Sequence, residues 1–469
     1  MNKQRPNILL IITDQQRFDC LSALGHPVVR TPNLDRLAAE GTLFTSAHCA
    51  TVPCGPSRTC LFTGTYTDQH GAHNNHLPMT PPDRRVLPEY LAAAGYDTAL
   101  VGKLHLKPFA RHFGFRHFAR HDAPYTNYLA DEAHASQYVA DVADALFDGD
   151  RERLIRKFTE DEACVKTDNY RFSMGTKVVN DPEQHEAAWA VREAIHYLDE
   201  AWQRDKPFFL NIGFYGPHQP YLCPAPWDTS LYPPETLPLP ADFNFAVEDK
   251  PILARAGVKD AYDALRAEQG WTEETFREVL SAYYAYITWI DECLGRLFDH
   301  LRAQGLYDET LIFFTADHGD LAGQYRLLYK GVSYEGAVHV PLIMRDPAAP
   351  RAGQRVAHEV TNFEVFSTCL KAAGLPIPAG CVCQDLRGVA RGAAADLGPR
   401  FYLREQEAAV FAEGCKLLSL RTGAETLYEF YDLSADPLEA RNLFREPACQ
   451  KQVARLRAML DDWLANRPG

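Results

Sequence analysis

The sequence predicts an α/β fold: a large, mostly parallel sheet flanked by helices, followed by a smaller C-terminal α+β subdomain. Three observations carry the prediction. Short, uninterrupted apolar runs of strand length recur up to about residue 350, as in strands buried on both faces. Segments of helical period lie between them, the alternation that builds a parallel sheet. After residue 350 the pattern changes to short strand-like pieces and one last helix. We therefore expect a main domain over residues 1–350 and, over 351–469, a subdomain with a small antiparallel sheet and a terminal helix.

Taken in order, the first strand is Asn7–Thr13. Leu34, Leu37 and Ala38 define a helix that starts at Thr31-Pro32 and stops at Gly41, with Pro and Gly at the ends they favour. A short helix over Ser57–Thr63 has Pro56 in its first turn and Gly64 just past its end. Thr98–Gly102 is the next strand, and residues 107–180 show no clear period. Ala187, Val191, Ala194, Ile195 and Leu198 form one helical stripe before the strand Phe208–Phe214. Residues 217–255 are rich in proline, and long excursions of this kind often wall a binding site. The clearest helix runs from Phe276 to Leu301 in steps of three and four, with Thr272 as its N-cap and Glu273 and Glu274 in its first turn. Strands follow at Leu311–Thr315 and Val340–Met344, then at Arg400–Leu403, Cys415–Leu420 and Thr426–Phe430, before a helix over 449–465.

Composition narrows the function classes. Of 469 residues, 46% are apolar and 23% charged, the ordinary globular balance, and the net charge of −14 disfavours nucleic acid as a partner. The apolar stretch near the N-terminus ends at Asp14 and lacks a small-residue cleavage site, so it reads as a strand rather than a signal peptide. No apolar run is long enough to span a bilayer. The twelve cysteines form no repeated CxxC pairs, and Cys381-Val-Cys383 is a lone CxC. These features set the expectation of a cytoplasmic chain with reduced thiols and no membrane partner. The state of assembly stays open, a homo-oligomer included.

Ligands of parallel α/β sheets bind beyond the carboxyl ends of the strands. There the chain places Asp14-Gln15, Lys103-Leu-His105, Tyr215-Gly-Pro-His218 and Asp317-His318-Gly319. Each residue alone has an ordinary structural explanation; their coincidence at one sheet edge points to a site. Asp14, Asp317 and the Gln15 amide offer hard oxygen ligands for Ca²⁺ or Mg²⁺, and His318 adds a nitrogen that suits Mn²⁺. Lys103, Arg58, Lys330 and the histidines add positive charge. A divalent metal among cations suits a tetrahedral oxyanion ester.

Cys54 precedes Gly55-Pro56-Ser57-Arg58 at the start of the short helix, where backbone N–H groups and the helix dipole favour an anion. A thiolate of lowered pKa is one reading. A tyrosine-phosphatase loop does not fit, because it needs five residues between Cys and Arg where this chain has three. A cysteine-peptidase site lacks a partner.

CGPSR followed by TCLFTG resembles the signature of the type I sulfatases, members of the alkaline-phosphatase-like superfamily. The resemblance extends nearly end to end, through RPNILLIITDQQ, TPNLDRLAAEG, GKLHL, FFLNIGFYGPHQPY, IDECLGRL, TLIFFTADHGD and LYEFYDLSADPLEARNL. It implies that residues 1–350 are the catalytic domain and that a formylglycine-generating enzyme oxidises Cys54 to formylglycine (3-oxoalanine). The hydrated aldehyde would attack a small-molecule sulfate ester of a sugar, aryl or choline-like alcohol, releasing sulfate. It implies one divalent metal, Ca²⁺ before Mn²⁺, held by Asp14, Asp317, His318 and residue 54, with Gln15 close by. Arg58 would pin the nucleophile, Lys103 contact the sulfate and His105 act as base. His218 and Lys330 would flank the leaving oxygen, and Asn75 line the pocket. Re-forming the carbonyl would expel sulfate without a second attack by water.

Two departures resemble the choline-sulfatase and phosphonate-monoester-hydrolase branch. Gln15 follows the first metal aspartate where two acids are commoner, and His318 follows the second where Asn is commoner. They keep a phosphonate monoesterase or phosphodiesterase as an alternative. An unmodified, inactive anion-binding protein is the alternative of another class.

Overall fold

In the computed structural model, described residues are 5–109, 111–122, 136–146, 148–154, 181–219, 221, 223–255, 263–264, 267, 270–349, 353–392, 398–423 and 425–466. Much of the 107–180 stretch lies outside them.

Fourteen strands are present among the described residues. They are β1 (Asn7–Thr13), β2 (Thr42–Phe44), β3 (Ala47–His48), β4 (Asp97–Gly102), β5 (His117–Arg120), β6 (Phe208–Gly213), β7 (Thr310–Ala316), β8 (Leu342–Arg345), β9 (Gln354–Val356), β10 (Val360–Thr361), β11 (Arg400–Arg404), β12 (Glu407–Ala412), β13 (Cys415–Thr422) and β14 (Glu425–Asp432). The main sheet has eight strands in the order β5-β4-β6-β1-β7-β8-β2-β9. Every pairing in it is parallel except those that β8 makes with β7 and β2. The expected strand near 340–344 is therefore present but runs against its neighbours. A doubly buried apolar run reads the same in either direction, so its sequence carries no orientation.

β1 lies between β6 and β7, and all seven of its residues are buried. Each large aliphatic side chain buried this way contributes about 1.5–3 kcal/mol. One face of the sheet packs against the 31-residue helix Glu273–Ala303 through Trp289, Ile290, Leu294 and Leu297, and against helix Glu186–His196. The other face covers Leu61 and Phe62 of helix Cys54–Thr63 and Phe366 of helix Glu364–Ala372. The register aligns Thr13 with Ala316, Ile12 with Gly213 and Gly102 with Gly213. The carboxyl ends of β1, β4, β6 and β7 thus open on one edge.

β11 to β14 form a separate antiparallel meander. Helix Gln450–Asn466 covers it with Val453, Leu456 and Leu460 against Val410, Leu417 and Phe430. The main sheet takes its edge strand β9 from beyond residue 350, and β10 pairs with β3. No helix among the described residues is long and apolar enough to cross a membrane.

Candidate active site

Asp14 follows β1 and Asp317 follows β7, adjacent parallel strands, so both carboxylates arrive side by side. Both are fully buried. Between them lies the guanidinium of Arg58, also without solvent exposure. Its Nε donates to Asp317 Oδ2 at 2.8 Å, one terminal nitrogen donates to Asp14 Oδ2 at 3.3 Å, and the other donates to the Lys103 carbonyl at 2.9 Å. A planar fork suits three fixed acceptors in a way that a lysine does not. Lys103 Nζ completes the cluster, 2.7 Å from Asp14 Oδ2 and 4.8 Å from the centre of the Tyr215 ring.

Helix Cys54–Thr63 brings Arg58 and Cys54 to this point. It starts three residues earlier than the sequence pattern indicates: Ser57 N–H already donates to the Pro53 carbonyl at 3.1 Å. Pro56 is tolerated because the first N–H groups of a helix have no intrahelical partner. Gly64 ends the helix at φ +66, and a Cβ there would overlap the Phe366 ring. Every residue of the helix is buried. Its hydroxyls are satisfied inside, Thr59 and Thr63 by carbonyls one turn back and Ser57 by the Asp317 carbonyl at 2.5 Å. Ser57 therefore ties the helix to the end of β7, a contact that sequence reading missed.

Cys54 Sγ lies 3.7 Å from Asp14 Oδ1 and 3.3 Å from His318 Nε2. His318 Nδ1 faces the Gly319 carbonyl at 2.9 Å. A carbonyl accepts only, so Nδ1 carries a proton and Nε2 is the nitrogen turned to Cys54; burial opposes, but Asp317 and Cys54 raise this imidazole above the usual histidine range. The potential ligand atoms of Asp14, Cys54, Asp317 and His318 all fall within 4.8 Å of one another. Two carboxylate oxygens, one imidazole nitrogen and a thiol, all buried, fit a divalent cation, with His318 already oriented by a backbone carbonyl.

The electrostatics follow from this crowding. Burial alone would raise the Asp14 carboxyl, but Lys103, His218, Arg58 and Lys330 outweigh it and hold the group well below the usual carboxylate range. Burial and Asp14 resist ionisation of Cys54; Lys330, Lys103 and His318 prevail and lower the thiol. His105 moves well below the usual histidine range, first by burial and then by Lys103. It is therefore neutral, and its buried Nδ1 has no hydrogen-bond partner among the described residues. Its backbone sits at φ +58, held by Asp122, whose Oδ1 accepts from the N–H groups of Leu104 and His105 at 2.7 Å each. That left-handed conformation is strained for a non-glycine residue and persists only where its surroundings impose it.

The remaining expected residues sit around this centre. His218 Nε2 is 4.0 Å from Asp14 Oδ1, while its Nδ1 lies 2.5 Å from the Tyr215 hydroxyl and 2.6 Å from the Gln219 carbonyl. Lys330 Nζ donates to Gln15 Oε1. The Gln15 Nε2 donates to Asp320 Oδ2 at 2.5 Å and to Gln219 Oε1 at 2.7 Å. Gln15 thus holds Lys330 in place. Asn75, expected as a pocket wall, accepts the Gly55 N–H through its Oδ1 at 2.9 Å and caps the helix that carries Cys54. Asp320, which anchors Gln15 and accepts from Tyr221 Oη at 3.0 Å, was not foreseen. Its only signal is its place three residues after Asp317.

The carboxyl edge of the α/β sheet thus gathers two aspartates, an imidazole and a cysteine on the first turn of a helix. The sequence model of the family described as Sulfatase matches residues 6–375, and that described as N-sulphoglucosamine sulphohydrolase, C-terminal, matches residues 323–466. An arylsulfatase of Clostridium perfringens is 28% identical over 99% of this chain and 95% of its own length. The multifunctional alkaline phosphatase superfamily protein PehA of Trinickia caryophylli is 31% identical over 95% of this chain and 92% of its own. The crystal structure of a phosphonate monoester hydrolase of Agrobacterium radiobacter shares the fold, with a TM-score of 0.77 at 24% identity over 99% of this chain and 96% of its own. The chain belongs to the sulfatase family.

Proposed function

We propose that the protein hydrolyses sulfate monoesters with a formylglycine made from Cys54. The observation that carries this reading is the position of Cys54: on the first turn of a buried helix, 3.3 Å from His318 Nε2, beside two buried aspartates that arrive from separate strands. Asp14, Asp317, His318 and residue 54 would hold one divalent cation, Ca²⁺ before Mn²⁺. The cation supplies Lewis-acid charge, and the hydrated aldehyde supplies a hydroxyl nucleophile that can later release sulfate by re-forming its carbonyl.

The chain's own residues do the rest. On this reading Arg58 and Lys103, both buried and so little screened by solvent, would supply fixed positive charge to the sulfate as it gains negative charge. His105, whose buried Nδ1 has no partner among the described residues, would be the base on this reading. On this reading His218 and Lys330 would supply the proton or the cation that a leaving alkoxide needs. Tyr215 and the Gln219 carbonyl orient His218, and Gln15 orients Lys330.

The relative named as multifunctional and the imidazole of His318 among the cation-binding groups favour a second reading, phosphonate monoester or phosphodiester hydrolysis at the same centre. Parallel assays on an aryl sulfate and an aryl phosphonate monoester separate the two. We expect the larger kcat/KM on the sulfate; a larger value on the phosphonate would replace the first reading with the second. Peptide mass spectrometry should find residue 54 lighter than cysteine by about 18 Da, the loss of H₂S and gain of oxygen. A Cys54→Ala protein with full turnover would rule out both.

A further inference from the structure

Among the described residues, a second group of metal-ligating side chains lies outside this centre: His48, Glu335 and His339. His48 ends β3, and Glu335 and His339 begin and cap the short helix Glu335–Val338. Both imidazoles converge on a single carboxylate oxygen. His48 Nε2 is 3.2 Å from Glu335 Oε2, and His339 Nδ1 is 3.1 Å from the same atom. Ligand bonds of about 2.0–2.1 Å at tetrahedral angles separate neighbouring donor atoms by about 3.3 Å. The two spacings to Glu335 Oε2 match that value, and all three donor atoms lie within 4.8 Å of one another.

The surroundings are built to keep that geometry. The other Glu335 oxygen accepts from Lys416 Nζ at 3.0 Å, and Lys416 is held in turn by Glu439 at 2.8 Å. The second Glu439 oxygen accepts the Glu335 backbone N–H at 2.7 Å. The carboxylate is therefore fixed from behind, as ligating carboxylates are, with its second oxygen directed at the histidines. Phe18 stacks on His339 at 3.8 Å and Phe411 on His48 at 4.0 Å, clamping both rings. His48 is 1% exposed. Among the described residues, His48 Nδ1 and His339 Nε2 are buried without a hydrogen-bond partner, so the hydrogen bonding of each ring runs through the nitrogen that faces Glu335 Oε2. His339 is 18% exposed, which leaves water access to a fourth position.

We propose that His48, Glu335 and His339 form a second metal site, for a transition metal of the Zn²⁺ class, between the main sheet and the C-terminal meander. Two nitrogens and one oxygen select against Ca²⁺, which takes oxygen ligands in larger number. The site is independent of the reaction assigned to Cys54.

Equilibrium dialysis of metal-stripped protein against Zn²⁺ tests this, with bound zinc counted by atomic emission. An Asp317→Asn background weakens the Cys54 centre, so that zinc there is not counted. In that background we expect one zinc per chain, lost on adding His339→Gln or Glu335→Gln. Equal zinc in the D317N protein with and without either change overturns the proposal. Should the double variants fail to fold, Co²⁺ titration of otherwise wild-type protein gives the same decision. The visible bands of tetrahedral Co²⁺ should fall in His339→Gln at unchanged circular dichroism; unchanged bands overturn the proposal.

Discussion

Arg58 is the residue on which the candidate centre turns. It spans carboxylates from two strands and the carbonyl that precedes Leu104, with no solvent contact. Removing one member of a buried ion cluster leaves its partners charged and unpaired, at about 3–5 kcal/mol. Arg58→Ala should lose stability on that scale in urea denaturation at pH 7. Arg58→Lys restores one charge but not the fork, so it should recover stability in part while turnover of an aryl sulfate stays low. Full turnover in Arg58→Lys would mean that charge alone matters at this position. That the acids, Lys103 and the histidines follow strands was legible in the apolar runs before them, and that Cys54 begins a helix was legible in Pro56 and Gly64. The roles of Asn75 and Gln15 were not. Each is set by a partner, Gly55 for one and Lys330 and Asp320 for the other, and such pairings depend on side-chain directions that spacing does not encode.

Among the elements, the ends of β4 and β6 show how backbone places chemistry. Lys103 N–H donates to the Gly213 carbonyl at 2.6 Å, and a Cβ on Gly213 would overlap the Lys103 carbonyl. Gly213 is thus the residue that lets the strand carrying Lys103 approach β6. Gly213→Ala should displace Lys103 and lose both soluble yield and turnover. Gly388→Ala, inside a short helix with open space around its α-carbon, should be neutral or more stable by about 0.5–1 kcal/mol in thermal melts. Equal behaviour of the two would remove the close-approach argument. Long elements were easy to read: helix Glu273–Ala303 keeps one apolar stripe for its whole length, and its cap was visible at Thr272. β12 was missed because Glu407-Ala-Ala-Val-Phe-Ala has little intrinsic strand preference. It is a strand because β11 and β13 pair with it on both sides.

At the scale of the whole molecule, the two sheets are joined by buried charge. Arg400 at the start of β11 reaches Glu364, on a helix packed against the main sheet, at 2.7 Å. Burial outweighs Arg400 and pushes the Glu364 carboxyl up from 4.5 to about 7. A raised carboxyl favours the folded state while protonated. Its contribution is fully present below about pH 4.5 and is lost as pH rises through about 7, by roughly 3 kcal/mol at most. Denaturant midpoints measured at pH 5 and pH 8 should therefore drop less in Glu364→Gln than in the parent. An identical drop in both proteins would show that Glu364 is ionised throughout.

The complete enclosure of residues 54–63 also sets an order of events. A modifying enzyme cannot grasp a segment that is already walled in by the sheet and by Phe366. On the proposed reading, conversion of the thiol belongs to the interval between synthesis and closure of the chain. A molecule that folds before it is oxidised would keep its cysteine even when the modifying enzyme is supplied afterwards, so the active fraction of a preparation would record a race won or lost once per chain.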